Sequence, residues 1–185
     1  MSTFHYFSYG SNMLAERLQA RCPSARVLGP GKAMGYALGF SKLSKDGSGK
    51  AMPFAQEDGS HVLSGVLFEI DGKQLVDLDR AEAAGFGYDR CEDFAISFGD
   101  GDEKLSVTTY LANPNYIDDA LQPFDWYLAL VIAGALQHKF PASYIDNLRA
   151  VSWCRDPNSS RITRETAIKA LALAGIEDYQ KLLFR

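Results

Sequence analysis

The chain has 185 residues, 46% hydrophobic and 23% charged, with a formal net charge of −4 and a pI near 5.4. That is enough apolar material for one domain with a sizeable core, and the acidic balance without any Lys/Arg block argues against nucleic acid or an anionic membrane surface as a partner. With no run of 18 apolar residues and no charged-then-apolar leader, neither a membrane span nor a secretory signal is predicted, and a cytoplasmic protein is expected.

In chain order, Phe4 to Tyr9 reads as an aromatic strand that stops at Gly10 and re-emerges as a helix from Leu14 to Leu18. Such a join gathers backbone N–H groups in one place, with Ser11 or Asn12 placed to cap the helix, and forms a seat for a carboxylate or oxyanion. The same join also serves simply to turn a corner. It lacks the glycines of a dinucleotide fingerprint and the Gly-Lys-Ser/Thr of a phosphate loop. Arg26 to Gly31 reads as a short strand broken by turn residues, and Gly35 to Lys42 as a strand around Tyr36, Leu38 and Phe40. Asp46 to Lys50 is a polar, flexible loop, residues 51 to 59 cross the surface, and His61 to Ile70 is a strand stopped by Asp71-Gly72. A helix follows from Lys73 to Ala84, ended by Gly85. Two strands, Tyr88 to Phe98 and Lys104 to Ala112, pair through a tight turn at Gly99 to Asp102. Helices then run over residues 125 to 138, from Pro141 or Ser143 through Leu148, and from Arg164 to Leu173.

Strands before helices, without a β-α-β alternation, predict an α+β domain with a small mixed or barrel-like sheet, surrounding helices and a central cavity. Cys22, Cys91 and Cys154 are odd in number and far apart, so no disulfide framework is expected. His5, His61 and His138 are equally scattered, and no metal site is predicted.

Glu82 is the unusual carboxylate. At i, i+3 and i+7 it shares a stripe with Leu75 and Leu78 that should face the core, and it lies in the last turn of its helix. The negative end of the helix dipole and partial burial both disfavour the charged form, which suits a general acid/base. Alternatively it pairs with Arg80 or Arg90, or leans into solvent. Asp77, Asp79, Asp89, Glu92 and Asp93 have polar neighbours and are expected at the surface.

Taken together, Tyr9-Gly10-Ser11-Asn12-Met13, Leu78-Asp79-Arg80-Ala81-Glu82-Ala83-Ala84-Gly85 and Gly87-Tyr88 resemble the γ-glutamylcyclotransferase superfamily, which includes the AIG2-like proteins. The resemblance continues through Thr109-Tyr110-Leu111, the helix from Tyr127 past Gly134-Ala135, and Phe140-Pro141 to Leu148; residues after about 155 match less clearly. It implies a small barrel with a cavity in which Tyr9, Gly10, Ser11, Asn12 and Met13 hold the γ-glutamyl part of a small-molecule substrate. Glu82 would transfer protons, with Tyr88 and Tyr127 as pocket donors or walls and Tyr110 as a further candidate. The implied reaction closes 5-oxoproline and releases an amino acid, peptide or amine, without a cofactor. On this reading residues 1–155 form the domain and 156–185 a helical extension that covers the pocket, mediates a homodimer or completes the fold. A silent small-molecule binder on the same fold, with Glu82 as an ammonium partner, is the alternative.

Overall fold

In the computed structural model, which describes residues 2–56, 59–99 and 103–184, the sheet closes on itself. Strands β1 (Thr3–Ser8), β2 (Arg26–Met34), β5 (Val62–Asp71), β6 (Tyr88–Phe98) and β7 (Glu103–Ala112) form a barrel in the order β1-β5-β2-β6-β7. The pair that closes it, β1 with β7 at Tyr6 and Thr108, is parallel, and the other barrel pairs are antiparallel. Five strands enclose little space, so bulk on one strand needs room on the next. The Phe7 ring lies where a side chain at Gly65 of β5 would stand, the built Cβ falling 2.4 Å from it.

The remaining strands, β3 (Tyr36–Leu43) and β4 (Gly49–Ala55), make a separate two-stranded sheet. β4 corrects the expectation that residues 51 to 59 merely cross the surface. Ala51, Met52 and Pro53 are buried, and Pro53 sits opposite Leu38 at an edge where its missing N–H does no harm. The loop before it is organised rather than flexible: Asp46 accepts from the Ser48 amide (3.0 Å), the Ser48 hydroxyl (2.8 Å) and Lys50 Nζ (2.8 Å). β2 is longer than its turn residues suggest, because a bulge between Val27 and Gly29, where Gly29 has φ +146°, absorbs the irregularity. Of the turn expected between β6 and β7, residues 100–102 lie outside the described residues.

Helix α1 (Ala15–Gln19) is a single turn, reached through a 3-10 turn at Ser11–Met13. α2 (Leu75–Glu82) ends three residues before Gly85. Ala83 takes the left-handed conformation (φ 52°), its amide donates to the Arg80 carbonyl and that of Ala84 to the Asp79 carbonyl, a Schellman ending that fixes Glu82 as the last helical residue.

α3 (Asp125–Gln137) is apolar on every side, and residues 125 to 135 are all buried. α4 (Ala142–Arg149) and α5 (Ile162–Leu173) pack against it, as does a short 3-10 segment at Tyr179–Leu183. Trp126 Nε1 donates to Asp156 (3.0 Å), Arg161 pairs with Asp156 (2.7 Å) and the Tyr179 hydroxyl donates to Asp125 (3.0 Å), so residues after 155 are tied to α3. No described helix is long and apolar enough to cross a membrane.

α3 also meets the 3-10 turn backbone to backbone. A Cβ at Gly134 would stand 2.6 Å from Met13 Cβ and 2.7 Å from the Leu14 amide nitrogen. Gly134→Ala gains helix propensity but forces α3 away from that turn. We expect a net loss of about 1–3 kcal/mol in urea unfolding.

Candidate active site

Glu82 stands at the junction of two cavities. An inner recess of about 30 Å³, room for one small polar group, is walled by Tyr6, Ser8, Tyr9, Asn12, Tyr88, Tyr110 and Tyr127 among others. An outer groove of about 810 Å³ begins at Ser11, Glu82, Tyr88 and Tyr127 and opens outward between the loop after β3 and residues 158–163.

The Glu82 side chain is 15% exposed and meets neither Arg80 nor Arg90. Arg80 pairs with Asp77, and Arg90 with Asp79 and Glu92. Instead, Glu82 Oε1 accepts from Asn12 Nδ2 (2.5 Å) and from Arg21 Nη1 (3.2 Å). Arg21 Nη1 also donates to Asn12 Oδ1 (2.9 Å), closing a three-residue ring, and Asn12 Nδ2 reaches the Tyr6 hydroxyl (3.2 Å). Both contacts fall on Oε1; among the described residues Oε2 has no protein donor. α2 is aimed by Asp79, which is half-buried rather than exposed and accepts from the Tyr110 hydroxyl (2.7 Å) and Arg90 (2.6 Å).

The turn departs from its expected shape. Neither Ser11 nor Asn12 caps α1: the Ser11 hydroxyl accepts from Arg17 Nε (3.0 Å), and Asn12 is spent on Glu82. A one-turn helix brings little dipole, so the positive character here comes from buried Arg17 and half-buried Arg21. Met13 does not reach either cavity. Its side chain is fully buried, its amide donates back to the Gly10 carbonyl (3.0 Å), and its carbonyl accepts from His138 Nε2 (2.9 Å). It serves as the anchor to α3. Gly10 is confined differently, since a Cβ there would lie 3.0 Å from Ala51 Cβ.

The tyrosine hydroxyls are largely committed to scaffolding. Tyr9 donates to the Tyr110 carbonyl, Tyr88 donates to the Ala51 carbonyl (2.6 Å), and Tyr127 accepts from the Ala51 amide (3.0 Å). Ala51 lies where the β3–β4 register slips between Gly39 and Lys42, so the two tyrosines satisfy a residue that has no cross-strand partner. Burial holds the Tyr9, Tyr88 and Tyr127 hydroxyls well protonated, and the Glu82 charge adds to the effect. Ser8 Oγ, enclosed on the recess wall, makes no hydrogen bond of good geometry among the described residues, although it stands close enough to the Tyr6 hydroxyl to act on it. A recess with such a hydroxyl suits a polar guest.

Sequence reasoning missed Tyr6, Arg17, Arg21, Lys42 and Lys50. Arg17 and Arg21 lie four apart on and just after α1, in the i, i+4 relation that places both on one face, and that spacing was the signal available. Lys50 is gripped by Asp46 and lies 4.8 Å from the Tyr127 ring and 5.1 Å from that of Trp126. Burial pulls its ammonium down to about 8 against the pull of Asp46. No group of described side chains is arranged to hold a metal ion.

The sequence model of the AIG2-like family matches residues 62–148. The chain is 29% identical over 153 residues to the γ-glutamylcyclotransferase of Mus musculus and 28% identical to that of Homo sapiens, in each case across 80% of this chain and 79% of the relative. A solved structure titled γ-glutamyl cyclotransferase superposes with a TM-score of 0.79 at 24% identity, covering 91% of this chain and 99% of that one, and so shares the fold.

The ion pair under the groove predicts an acid limb of stability. Burial alone would raise the Asp46 carboxyl, but Lys50 and the two Ser48 donors outweigh it and hold it below the ordinary carboxylate range. A group depressed in the folded state stabilises above its unfolded pKa and loses that contribution as pH falls through its folded pKa. The melting temperature of the wild type should therefore fall more steeply than that of Asp46→Asn as pH drops from about 5 to about 3.

Proposed function

We propose that the chain is an enzyme of the γ-glutamylcyclotransferase superfamily, closing the γ-glutamyl group of a γ-glutamyl amino acid or amine to 5-oxoproline and releasing the amine. The observation that carries the reading is the place of Glu82: at the inner end of the groove, locked to Asn12 through one oxygen, with its other oxygen available.

The reaction needs a proton moved twice. The α-ammonium must lose one before its nitrogen attacks the γ-carbonyl carbon, and the departing nitrogen must gain one as its bond to that carbon breaks. Glu82 Oε2 takes the first and returns it to the second; the further proton that the attacking nitrogen sheds as the lactam forms ends on the released amine, which leaves as an ammonium. Asn12 and Arg21, by holding Oε1, fix the carboxylate so that one oxygen serves both steps. The first N–H groups of the 3-10 turn, at Ser11 and Asn12, have no partner within it and are the donors for the oxyanion of the tetrahedral intermediate, each worth roughly 3 kcal/mol. Buried Arg17, which has no carboxylate partner among the described residues, supplies the counter-charge for the glutamyl α-carboxylate. Tyr9 and Tyr88 act as walls, since their hydroxyl protons are already given to carbonyls, while Tyr127 keeps its proton for Ser11 or substrate. Folding the glutamyl chain so that nitrogen and carbonyl carbon approach within about 3.5 Å removes a large part of the barrier.

We read residues 156–185 as an extension of the same domain that also helps to wall the groove; the ties of Asp156, Arg161 and Tyr179 to its surroundings support this. A second reading, a silent binding protein, draws on the Arg21 contact, which ties the Glu82 carboxylate to a guanidinium at 3.2 Å.

The test is release of 5-oxoproline from γ-glutamyl amino acids, γ-glutamyl amines and glutathione. Glu82→Gln should lower kcat by about 10²–10⁴-fold while the substrate still binds. Binding without turnover by the wild type would support the silent binder, and a variant as fast as the wild type would remove Glu82 from the chemistry.

A further inference from the structure

Tyr110, on β7, borders the inner recess but not the outer groove, and its hydroxyl is turned to α2. It stands opposite Arg90 in the β6–β7 register, so the two side chains share one face of the sheet. Both reach Asp79 and divide its carboxylate between them. The Tyr110 hydroxyl donates to Oδ1 (2.7 Å) and Arg90 Nη1 to Oδ2 (2.6 Å). Burial holds the Tyr110 phenol far above its ordinary range, and the Asp79 acceptor adds to the effect, so Tyr110 remains the donor.

Asp79 is the point at which the end of α2 can be held. Its carbonyl accepts the Ala84 amide (2.9 Å), the bond that closes the last turn around Glu82. Glu82 follows three residues later, the spacing that puts two side chains on neighbouring positions of one helix face. Fastening Asp79 therefore fixes the height and rotation of the turn that carries the glutamate. Tyr110 is fastened to the other half of the site as well. Its carbonyl accepts from the Tyr9 hydroxyl, and its ring meets that of Tyr6 edge to face, 6.0 Å between centroids. Tyr9 leads into the turn from which Asn12 reaches Glu82 Oε1. One residue thus touches both the chain entering the turn and the helix that presents the carboxylate.

We propose that Tyr110 is a positioning residue for the cyclisation: by binding Tyr9 through its carbonyl and Asp79 through its hydroxyl it sets the distance between the Ser11–Asn12 turn and Glu82, and it acts on the substrate only through Glu82. The inference rests on the cyclotransferase reading for the role of Glu82. It deepens that reading by naming what keeps the proton carrier and the oxyanion donors in register. The attacking nitrogen must lie within about 3.5 Å of the carbonyl carbon with Oε2 beside it, so a small drift of α2 is felt in the rate of the chemical step. Substrate held by the turn and Arg17 does not feel the same drift.

The experiment removes the hydroxyl alone. Tyr110→Phe keeps the ring and the carbonyl, and kcat for 5-oxoproline release from γ-glutamyl-alanine should fall roughly 10- to 100-fold with KM little changed. Glu82→Gln is the discriminating background, because a residue that acts through Glu82 has nothing left to position there. Adding Tyr110→Phe to Glu82→Gln should lower kcat by less than about threefold more. Asp79→Ala should match Tyr110→Phe, and Asp79→Asn, whose amide oxygen still accepts from Tyr110, should keep most of the rate. Melting curves check that the variants are folded, and if Tyr110→Phe is not, Asp79→Ala in the same two backgrounds decides. An unchanged kcat in Tyr110→Phe would overturn the proposal. So would a rise in KM at constant kcat, which would make Tyr110 a substrate contact, or the full loss repeated on top of Glu82→Gln. If the wild type releases no 5-oxoproline from any γ-glutamyl compound, the cyclotransferase reading fails, and calorimetric binding of γ-glutamyl-alanine, with Glu82 as its ammonium partner, decides instead. Weaker binding in Tyr110→Phe that disappears in the Glu82→Gln background upholds the positioning role; equal weakening in both backgrounds, or none in either, overturns it.

Discussion

The site depends on one close approach, that of α3 to the turn at Ser11–Met13. Gly134 has no side chain, so the Met13–Leu14 backbone lies directly on the helix, and Met13 fills the space beside it. His138, at the end of the same helix, donates to the Met13 carbonyl. From that anchored turn Asn12 projects toward Glu82, and Ser11 toward Arg17. A largely apolar helix, buried from Asp125 to Ala135, is the rigid body against which such precision can be held.

The second support is Ala51. Its backbone falls in the register slip between β3 and β4 and is taken up by Tyr88 and Tyr127, from β6 and α3. The small outer sheet is thus fastened to the barrel and to the helical layer by two phenols, and the loop that follows β3 is closed by Asp46 and Lys50. Lys42 and Lys50, adjacent across this sheet, have opposite fates. Lys50 is neutralised and caged by aromatic rings, while Lys42 is left to the groove. The same short sheet therefore supplies one cation held by a carboxylate and one that lines the groove.

Barrel strands β1, β5, β6 and β7 were legible in the sequence because apolar and aromatic residues recur along each between clear turn signals, and α3 because Trp126 to Ala133 are apolar without a break. β4 and the full length of β2 were not legible. Their glycines and prolines read as breakers, and only cross-strand pairing shows that Pro53 lies at an edge and that Gly29 makes a bulge. α2 was placed, but its end was not: the left-handed Ala83 takes a role that sequence would give to glycine, and Gly85 drew the boundary too late.

Glu82 and the Tyr9–Asn12 turn could be singled out from the chain alone, since a carboxylate on an apolar stripe and a strand–glycine–helix join are local patterns. What tertiary structure decided was which charges meet. The partner of Glu82 is Arg21 rather than Arg80 or Arg90, because helical spacing says which face a residue takes but not which element packs opposite. Met13 was drawn into the site by its neighbours in sequence and removed from it by α3. The charge of Lys42 was always visible; that its stem is buried and its ammonium lies over the Tyr88 ring at the groove follows only from closing the barrel and laying β3 across Tyr88.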